Sequence, residues 1–423
     1  MSVLLGAIAD DFTGAADLAG TLVGAGMRTV QMIGVPAKEA AEIVADADAV
    51  VIALKSRTCS SGEAVDQSLD AQRWLQAAGC RQFFFKYCST FDSTPEGNIG
   101  PVMEALLDAL QVDFTIACPA FPRNKRLVFM GHLFVGGVPL NESGMQNHPL
   151  TPMTDANLVR VLDGQTRGAV GLVAHDAVGK GVAEITAAYQ RLRGQGIGMA
   201  IVDAVDDGDL QAIGSASAEL VLITGGSGVA IGLPENFRRQ GLLKTTQADA
   251  LPKVGGKAAV ISGSCSRATR EQVDVFGRDH PAFRIDPLSL AKDGRLVGQA
   301  LEWAARHLAD GPLLIYASAE PGAVKEAHDR LGVERASRLV EEALATIAKG
   351  LVGLGVGRLV IAGGETAGAV VKALGISGFL IGAEIDLGVP CTVSLGEKRL
   401  ALALKSGNFG TADFFAKALR RLP

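Results

Sequence analysis

Two adjacent carboxylates, Asp10 and Asp11, follow a short apolar run near the start of the chain. Residues 3–9 have the length and composition of a buried parallel strand, and an Ala-rich helical stretch comes after the carboxylates. Ligands of open α/β sheets bind beyond the carboxyl ends of the strands, so the pair is expected where a substrate would sit. Two buried like charges repel unless a metal, a hydroxyl-rich ligand or cationic neighbours compensate them. The alternative is that an aspartate here only caps the helix that begins near Thr13.

Basic side chains are expected at the ends of three other strands in the first half. Lys55 and Arg57 follow one apolar run, and Lys86 ends a second. Arg123 comes shortly after a third. Positive charge that converges at one sheet edge makes an anion site. Acceptors for hydroxyl groups beside donors for a carboxylate would suit a sugar acid. The alternative is that each cation only reaches outward to solvent.

The segment 87–98 is dense in hydroxyl and carboxylate side chains and leads into a helix near Asn98. Asp92, Ser93 and Thr94 are its candidate ligand-binding residues, because side-chain acceptors would lie there beside free N–H groups at a helix start. The same residues are also common in turns and caps, and their position after Lys86 is what favours a role in binding.

Three turns rich in Gly, Ser and Thr follow predicted strands in the second half. Such turns present backbone N–H groups and a helix dipole to phosphate oxygens, although a glycine after a strand is ordinary by itself. Neither a Walker P-loop nor the glycine-rich loop of protein kinases is present. Three turns in one domain favour a nucleotide site, with these candidate residues: Ser262, Ser264, Gly363, Gly364, Glu365, Thr366 and Gly407.

Residues 220–232 read as a strand, a G-x-G-x-x-x-G turn and a helix, which is a degenerate dinucleotide-binding pattern. It suggests an NAD-dependent hydroxyacid dehydrogenase as an alternative function. The acidic residue that would bind the ribose is missing, because the next strand ends in Ser262. We therefore predict a turn at a domain interface over residues 226–232.

Alternating strand-like and helical stretches predict two α/β domains with mostly parallel sheets, at residues 1–240 and 255–423. The pattern breaks at 240–256, the expected linker. Residues 119–152 are predicted to form a long functional loop or lid. Residues 378–405 are predicted to add β-hairpin material to the second domain, with strands at 379–382 and 401–404 and turns at 388–390 and 396–398 between them.

Composition narrows the function classes. The chain has 423 residues, a formal net charge of −5 and 48% hydrophobic residues, so a nucleic-acid surface is not expected. No apolar run is long enough to cross a membrane, and no basic segment precedes the first apolar run, so membrane insertion and secretion are not expected. Six cysteines without a CxxC pair fit reduced thiols in the cytoplasm. The missing signal peptide also speaks against a periplasmic-type sugar-acid binding protein, the non-enzymatic alternative.

Six segments together resemble the four-carbon acid sugar kinases, and within them the 3-oxo-tetronate kinase branch. They are residues 9–15, 86–94, 144–149, 262–266, 363–366 and 404–410. Other branches, which act on tetronates without a keto group, carry a charged residue and an Arg-Gly where this chain has residues 88–91 and 95–97. Residues 119–124 are also similar to the oxo-tetronate branch.

The resemblance implies an N-terminal α/β domain that binds the acid sugar and a C-terminal α/β domain that binds ATP. It implies ATP-dependent, Mg²⁺-assisted phosphorylation of the terminal 4-hydroxyl of a 3-oxo-tetronate. Asp10 and Asp11 would bind the hydroxyls, and one of them would be the catalytic base. We predict a homo-oligomer, and we predict no specific metal ligands. The other predicted substrate-binding residues are Lys55, Arg57, Lys86, Asp92, Ser93, Thr94 and Arg123.

Overall fold

The computed structural model describes residues 3–37, 44–148, 150–244 and 247–423. Pro149 of the 144–149 motif and Thr245 and Thr246 of the predicted linker lie outside the described residues. The chain divides into two compact units, Met1–Asp249 and Ala250–Pro423. Each unit is an α/β structure, as the sequence predicts.

The first unit alternates strands with helices. Its described strands are β1 (Leu5–Ala9), β2 (Thr29–Ile33), β3 (Ala49–Ala53), β4 (Gln82–Lys86), β5 (Thr115–Cys118), β6 (Arg126–Phe129), β7 (His132–Val135), β8 (Val138–Pro139), β9 (Val170–Val173), β10 (Met199–Val202) and β11 (Leu222–Gly225). Its described helices are α1 (Phe12–Gly24), α2 (Ser61–Ala77), α3 (Ile99–Leu110), α4 (Leu158–Asp163), α5 (His175–Val178), α6 (Val182–Gly194), α7 (Asp207–Ala216) and α8 (Leu233–Arg239).

The main sheet of the first unit is parallel and has the strand order β2-β3-β1-β4-β11-β5-β10-β9. Its central strands are buried on both faces, which is why they read in the sequence as continuous apolar runs. The register pairs Ala9 with Ala53 and with Lys86, and Lys86 with Gly225. The loops after β1, β3, β4 and β11 therefore start at the same edge of the sheet.

Residues 119–152 are more ordered than the predicted loop or lid. They contain the antiparallel sheet β6-β7-β8 and short 3-10 turns at Pro122–Asn124, Leu140–Glu142 and Met145–Asn147. Tight turns that contain Gly131, Gly136 and Gly137 join these strands, which are only two to four residues long. Strands this short escape a search for apolar runs.

The second unit repeats the alternation and ends in antiparallel strands. Its described strands are β12 (Lys257–Ser262), β13 (Ala282–Arg284), β14 (Leu313–Tyr316), β15 (Val356–Ala362), β16 (Gly378–Asp386), β17 (Val389–Ser394) and β18 (Ala401–Lys405). Its described helices are α9 (Arg267–Gly277), α10 (Pro287–Lys292), α11 (Leu296–His307), α12 (Pro321–Leu331), α13 (Val333–Gly353), α14 (Gly364–Ala373) and α15 (Phe414–Arg421).

Five strands of the second unit run parallel in the order β13-β14-β12-β15-β18, and β17 and β16 follow antiparallel. The hairpin prediction is confirmed, but Val389 and Pro390, predicted as a turn, lie inside β17. Ser262 pairs with Ala362, and Ala362 pairs with Lys405, so the three turns after β12, β15 and β18 begin at one edge.

The glycine-rich segment after β11 is a 3-10 helix, Ser227–Gly232, that packs within the first unit. A Cβ on Gly232 would lie 2.9 Å from Cα of Gly214 in α7, and a Cβ on Gly228 would lie 2.4 Å from the carbonyl oxygen of Ala120. Close backbone packing inside this unit therefore explains these glycines, and neither a dinucleotide nor a domain interface is needed.

No helix among the described residues is both long and apolar enough to span a membrane.

Candidate active site

Asp10 forms a buried two-point ion pair with Arg57. Its side chain lies at the carboxyl end of β1, and the residue is 6% exposed. Nε and Nη2 of Arg57 donate to the two carboxylate oxygens, each at 2.8 Å. The backbone N–H groups of Ser56 and Arg57 donate to the carbonyl oxygen of Asp10, which holds the loop after β3 against β1. Burial raises the pKa of Asp10, and the guanidinium of Arg57 acts against that rise.

Asp11 is the more accessible of the two carboxylates, with a side chain that is 31% exposed. It is the N-cap of α1, since the N–H of Gly14 donates to Oδ1 at 2.6 Å. Asp11 therefore does cap the helix, but its contacts extend beyond the cap. Its other oxygen, Oδ2, lies 3.0 Å from Nη1 of Arg57, so the cap is also part of the charged cluster.

Arg57 gathers a third carboxylate, because Oδ2 of Asp92 lies 3.8 Å from its Nη1. Thr90 donates its hydroxyl to Oδ1 of Asp92 at 2.5 Å, and Sγ of Cys88 lies 2.9 Å from the same hydroxyl. Burial, and then the charge of Asp92, raise the pKa of the Cys88 thiol to about 11. Cys88 is therefore a neutral thiol at physiological pH, and three carboxylates share one guanidinium.

Asn98 fixes the loop that carries Arg57. The side chain is buried, and its Nδ2 donates to the carbonyl oxygens of Ser56, Arg57 and Cys59 at 2.7, 3.2 and 3.1 Å. This amide precedes α3, so the helix predicted near Asn98 supplies the clamp for the loop after β3.

Lys86 lies beneath the first turn of α1. It is 3% exposed, and its Nζ donates to the carbonyl oxygen of Tyr87 at 2.7 Å. A Cβ on Gly14 would lie 3.1 Å from this Nζ, so the glycine lets the helix approach the ammonium group. Asp17, one helical turn further on, accepts a hydrogen bond from Ser227 at 2.5 Å. Burial raises the pKa of Asp17, and the charge of Lys86 opposes that effect.

In the described structure, the other predicted substrate residues form no hydrogen bond or ion pair with the Arg57 cluster, which consists of Arg57, Asp10, Asp11 and Asp92. Lys55 is exposed, and Arg123 is paired with Asp207 at 2.7 Å on the surface. The hydroxyl of Ser93 and the carbonyl oxygen of Thr94 both accept from the amide of Gln165. Ser93 and Thr94 instead line a smaller cavity of about 160 Å³. The contacts thus unite Asp10, Asp11, Arg57 and Asp92, with Lys86 nearby, but not the whole predicted set.

The three turns after β12, β15 and β18, here called the phosphate-type turns, contact one another. A Cβ on Gly407 would lie 2.6 Å from the hydroxyl of Ser264, and a Cβ on Gly363 would lie 3.1 Å from the backbone nitrogen of Ser264. A Cβ on Gly263 would lie 2.1 Å from Oγ1 of Thr366. Gly363 has a φ of 125°, a conformation that favours glycine. Ser262 is buried below the turns, where its hydroxyl lies 2.8 Å from that of Ser318.

A cavity of about 310 Å³ opens at this edge of the second unit. Gly263, Ser264 and residues 363–366 line one part of it. The sequence predicts a helix over residues 369–374, but α14 begins five residues earlier, at Gly364. Gly364, Glu365 and Thr366 therefore form its first turn. Their N–H groups have no carbonyl partner within the helix and can bind an anion. The rest of the lining is mostly apolar but also includes the charged residues Arg284, Asp286 and Glu341. Its apolar residues from α12 and α13 are Ala323, Val324, Ala327, Ala336 and Val340.

Two family models match the chain in order. One, described as a sugar-binding N-terminal domain, matches residues 5–233. The other, described as a nucleotide-binding C-terminal domain, matches residues 259–415. A Burkholderia multivorans protein named 3-oxo-tetronate kinase is 59% identical over 99% of this chain and 97% of its own length. The chain belongs to the four-carbon acid sugar kinase family.

Other relatives agree with this membership. A 3-oxo-tetronate kinase of Pseudomonas fluorescens is 60% identical over 99% of the chain and 97% of its own length. The crystal structure of a Haemophilus influenzae protein superposes with a TM-score of 0.87 at 45% identity, over 98% of this chain and 99% of that one. The four-carbon acid sugar kinase fold therefore extends over both units of this family member.

The sequence reasoning missed several residues of the two sites. Asp17 could have been found, because Asp11, Gly14 and Asp17 recur every three residues and so share one face of a helix. Asn98 gave no signal beyond its place before a helix. The apolar lining of the cavity was also missed, because small residues spaced along α12 and α13 read only as helix packing.

Proposed function

We propose that the chain is an ATP-dependent kinase that phosphorylates the 4-hydroxyl of a 3-oxo-tetronate. The observation that carries the proposal is the full-length similarity to proteins named 3-oxo-tetronate kinase. The geometry of both units agrees with it, since one edge gathers carboxylates around a guanidinium and the other brings three turns together beside the first turn of α14.

The first unit would bind the sugar acid at the carboxyl end of its sheet. Asp11 is the most accessible carboxylate of the cluster, so we assign it the hydrogen bond to the reacting 4-hydroxyl and the role of base. Asp10 has both oxygens occupied by Arg57, so its role is to hold the guanidinium in place. Lys86, whose charge acts on Asp10, would balance the substrate carboxylate, and a role for Lys55 stays a prediction.

The second unit would bind ATP in its cavity. The apolar residues of α12 and α13 suit the adenine ring, and the N–H groups of Gly364, Glu365 and Thr366 suit the phosphates. A Cβ on Gly364 would meet no heavy atom within 4 Å, so the space beside this residue is open to a ligand. The cavity and the first turn of α14 therefore fit a nucleotide.

Mg²⁺ would be carried mainly by the nucleotide. Among the described residues no group of three His, Cys, Asp or Glu side chains is arranged to hold a metal ion. Magnesium in kinases is commonly held by substrate phosphates, waters and one or two carboxylates, and the exposed Glu365 is the carboxylate at the phosphate end of the cavity. When bound, the ion neutralises charge on the transferred phosphoryl group.

Phosphoryl transfer needs positioning and charge stabilisation more than proton removal. The residues of the chain would contribute by orienting the 4-hydroxyl through Asp11 and by holding the phosphates at α14. We also propose a cytoplasmic location, because ATP is the donor and the cysteines are free thiols. A homo-oligomer stays a prediction.

The test is a coupled assay of ADP release with a panel of four-carbon acids. We expect turnover with a 3-oxo-tetronate that exceeds the kcat/KM for D-threonate by at least tenfold, and a product phosphorylated at the 4-hydroxyl by phosphorus NMR. Equal kcat/KM for the two acids would refute the keto preference. No ADP release with any acid, together with NAD reduction by a hydroxy acid, would favour the dehydrogenase alternative.

A further inference from the structure

Lys405 is a buried lysine without an acidic partner in the second unit. The residue is 2% exposed and ends β18, directly before the Ser406-Gly407 turn. Its Nζ donates to Oγ1 of Thr269 at 2.9 Å and to the carbonyl oxygen of Gly407 at 3.1 Å. Both acceptors are neutral, and among the described residues no carboxylate forms an ion pair with it. A buried ammonium group that lacks an anion is costly, so this one is expected to have a purpose.

The carbonyl group of Gly407 receives two further hydrogen bonds. The hydroxyls of Ser266 and Thr269 donate to it at 2.6 and 2.7 Å. Three donors therefore fix the orientation of one peptide group. In a trans peptide the next N–H points the opposite way, so the N–H of Asn408 is directed away from Lys405. This N–H donates to no protein acceptor in the described structure.

Lys405 also touches the other phosphate-type turns through the backbone. Its carbonyl oxygen accepts from the N–H of Gly363, and Gly407 packs on the hydroxyl of Ser264. The lysine thus lies at the point where the three turns join. Desolvation alone lowers the pKa of Lys405 to about 8, which leaves a charge that a nearby anion would stabilise.

We infer that Lys405 is a positioning residue of the nucleotide site, which fixes the Gly407 peptide and supplies a buried positive charge for the phosphates. The inference rests on the proposed ATP site of the second unit. It goes beyond that proposal, which assigns the phosphates to backbone N–H groups and to no side-chain cation. A lysine that served only the fold would instead be paired or would lie at the surface.

The charged groups on the surrounding elements do not compensate Lys405. Arg270 of α9 is paired with Glu320 and donates to the carbonyl oxygen of Cys265. Glu365 of α14 is exposed. On the neighbouring strands, Arg358 pairs in register with Ala401 at the opposite end of β18, and Cys391 is a neutral thiol whose pKa burial raises to about 11.

The experiment is calorimetry of ADP binding to the full chain at pH 8, in buffers of different ionisation enthalpy. Because half of Lys405 is neutral at its pKa, ADP binding should take up about 0.5 proton per site. The variant Lys405→Met should abolish this uptake and weaken ADP binding roughly 10- to 100-fold, as expected for a lost interaction with a charged group. Lys405→Arg should retain most of the affinity.

The matched control is Lys372→Met, which removes one exposed lysine from α14 of the same unit. It should bind ADP as the wild type does. Wild-type protein that binds ADP without proton uptake, or Lys405→Met with unchanged affinity, would overturn the role of Lys405 while leaving the kinase proposal intact. Failure of the wild type itself to bind ADP would refute the proposed nucleotide site. If Lys405→Met does not fold, Lys405→Arg decides the question: a guanidinium is always charged, so this variant should bind ADP without the proton uptake, and wild-type uptake in Lys405→Arg would overturn the role of Lys405.

Discussion

The buried pair of Asp10 and Arg57 predicts that two adjacent aspartates respond very differently to the same substitution. In Asp10→Asn, an amide replaces a carboxylate whose two oxygens both accept from the guanidinium at 2.8 Å. One NH₂ group then faces a cation inside the protein. In Asp11→Asn, the amide oxygen can still cap Gly14, and the side chain is 31% exposed.

The magnitudes follow from burial. Breaking a buried ion pair by removing one partner costs about 3–5 kcal/mol of unfolding free energy. The Asn side chain keeps one acceptor, so we expect Asp10→Asn to lie at the lower end of this range, at about 3 kcal/mol of unfolding free energy. This loss would lower the Tm of a unit of this size by roughly 6–12 °C. Asp11→Asn should cost less than about 1 kcal/mol, because Asn caps helices as well as Asp does. Its turnover should fall by ~10²–10⁴, the range for loss of a general base.

The assay combines thermal and urea unfolding of the full chain with turnover at saturating ATP. Asp48→Asn is the matched control, since Asp48 also accepts two hydrogen bonds from one guanidinium, that of Arg28. That arginine side chain is 37% exposed, so the control should lose no more than about 1 kcal/mol. An Asp10→Asn variant as stable as the wild type would refute the argument from burial. Wild-type turnover in Asp11→Asn would refute the assignment of Asp11 as the base.

Three further predictions concern the two edges. Gly364→Val should abolish ATP binding and leave the Tm unchanged, since a Cβ at this position meets no atom of the protein. The control is Gly368→Val, at an equally open position one turn further along α14. Equal ATP affinity of the two variants would contradict the proposed site. Asn98→Ala frees three carbonyl groups, so it should raise the KM for the sugar acid and leave that for ATP unchanged; a change confined to ATP would be the wrong result. The pKa of Lys405 is lowered to about 8 in the folded chain from 10.5, so the unfolded chain binds more protons between these values. Stability of the wild type without nucleotide should therefore rise from pH 8 to about 10.5 relative to Lys405→Met, as urea unfolding would show; a constant difference would contradict it.

The buried parallel strands were predictable because both of their faces contact protein. The apolar runs predict strands at residues 82–86 and 257–262, and β4 and β12 have these bounds, since continuous apolar residues have few alternatives to a central strand. Thr29–Ile33 was missed because Thr and Gln interrupt its apolar residues, although Gln31 is 1% exposed. Val389–Ser394 was missed because a proline near a glycine reads as a turn.

The candidate site was predictable where it depends on strand register and unpredictable where it depends on side-chain partners. Strand ends place Asp10, Arg57 and Lys86 near one another because parallel strands end at a common edge. The sequence could not show that Arg57 would bind Asp10 and that Arg123 would bind Asp207 instead of the cluster. Membership of the acid sugar kinase family, predicted from six motifs, is confirmed by the full-length relatives.

The charged groups at the two sheet edges agree with phosphate binding at the edge of the second unit. Around Arg57, three carboxylates face one guanidinium, and the buried Lys86 leaves the group with a net negative charge. A polyanion would be repelled there, whereas neutral hydroxyl groups would find acceptors. At the other edge, Lys405 is a buried cation without an acidic partner among the described residues, and the start of α14 adds the positive end of a helix dipole. The phosphates of ATP are therefore expected at α14, and the hydroxyls of the sugar acid at Asp11.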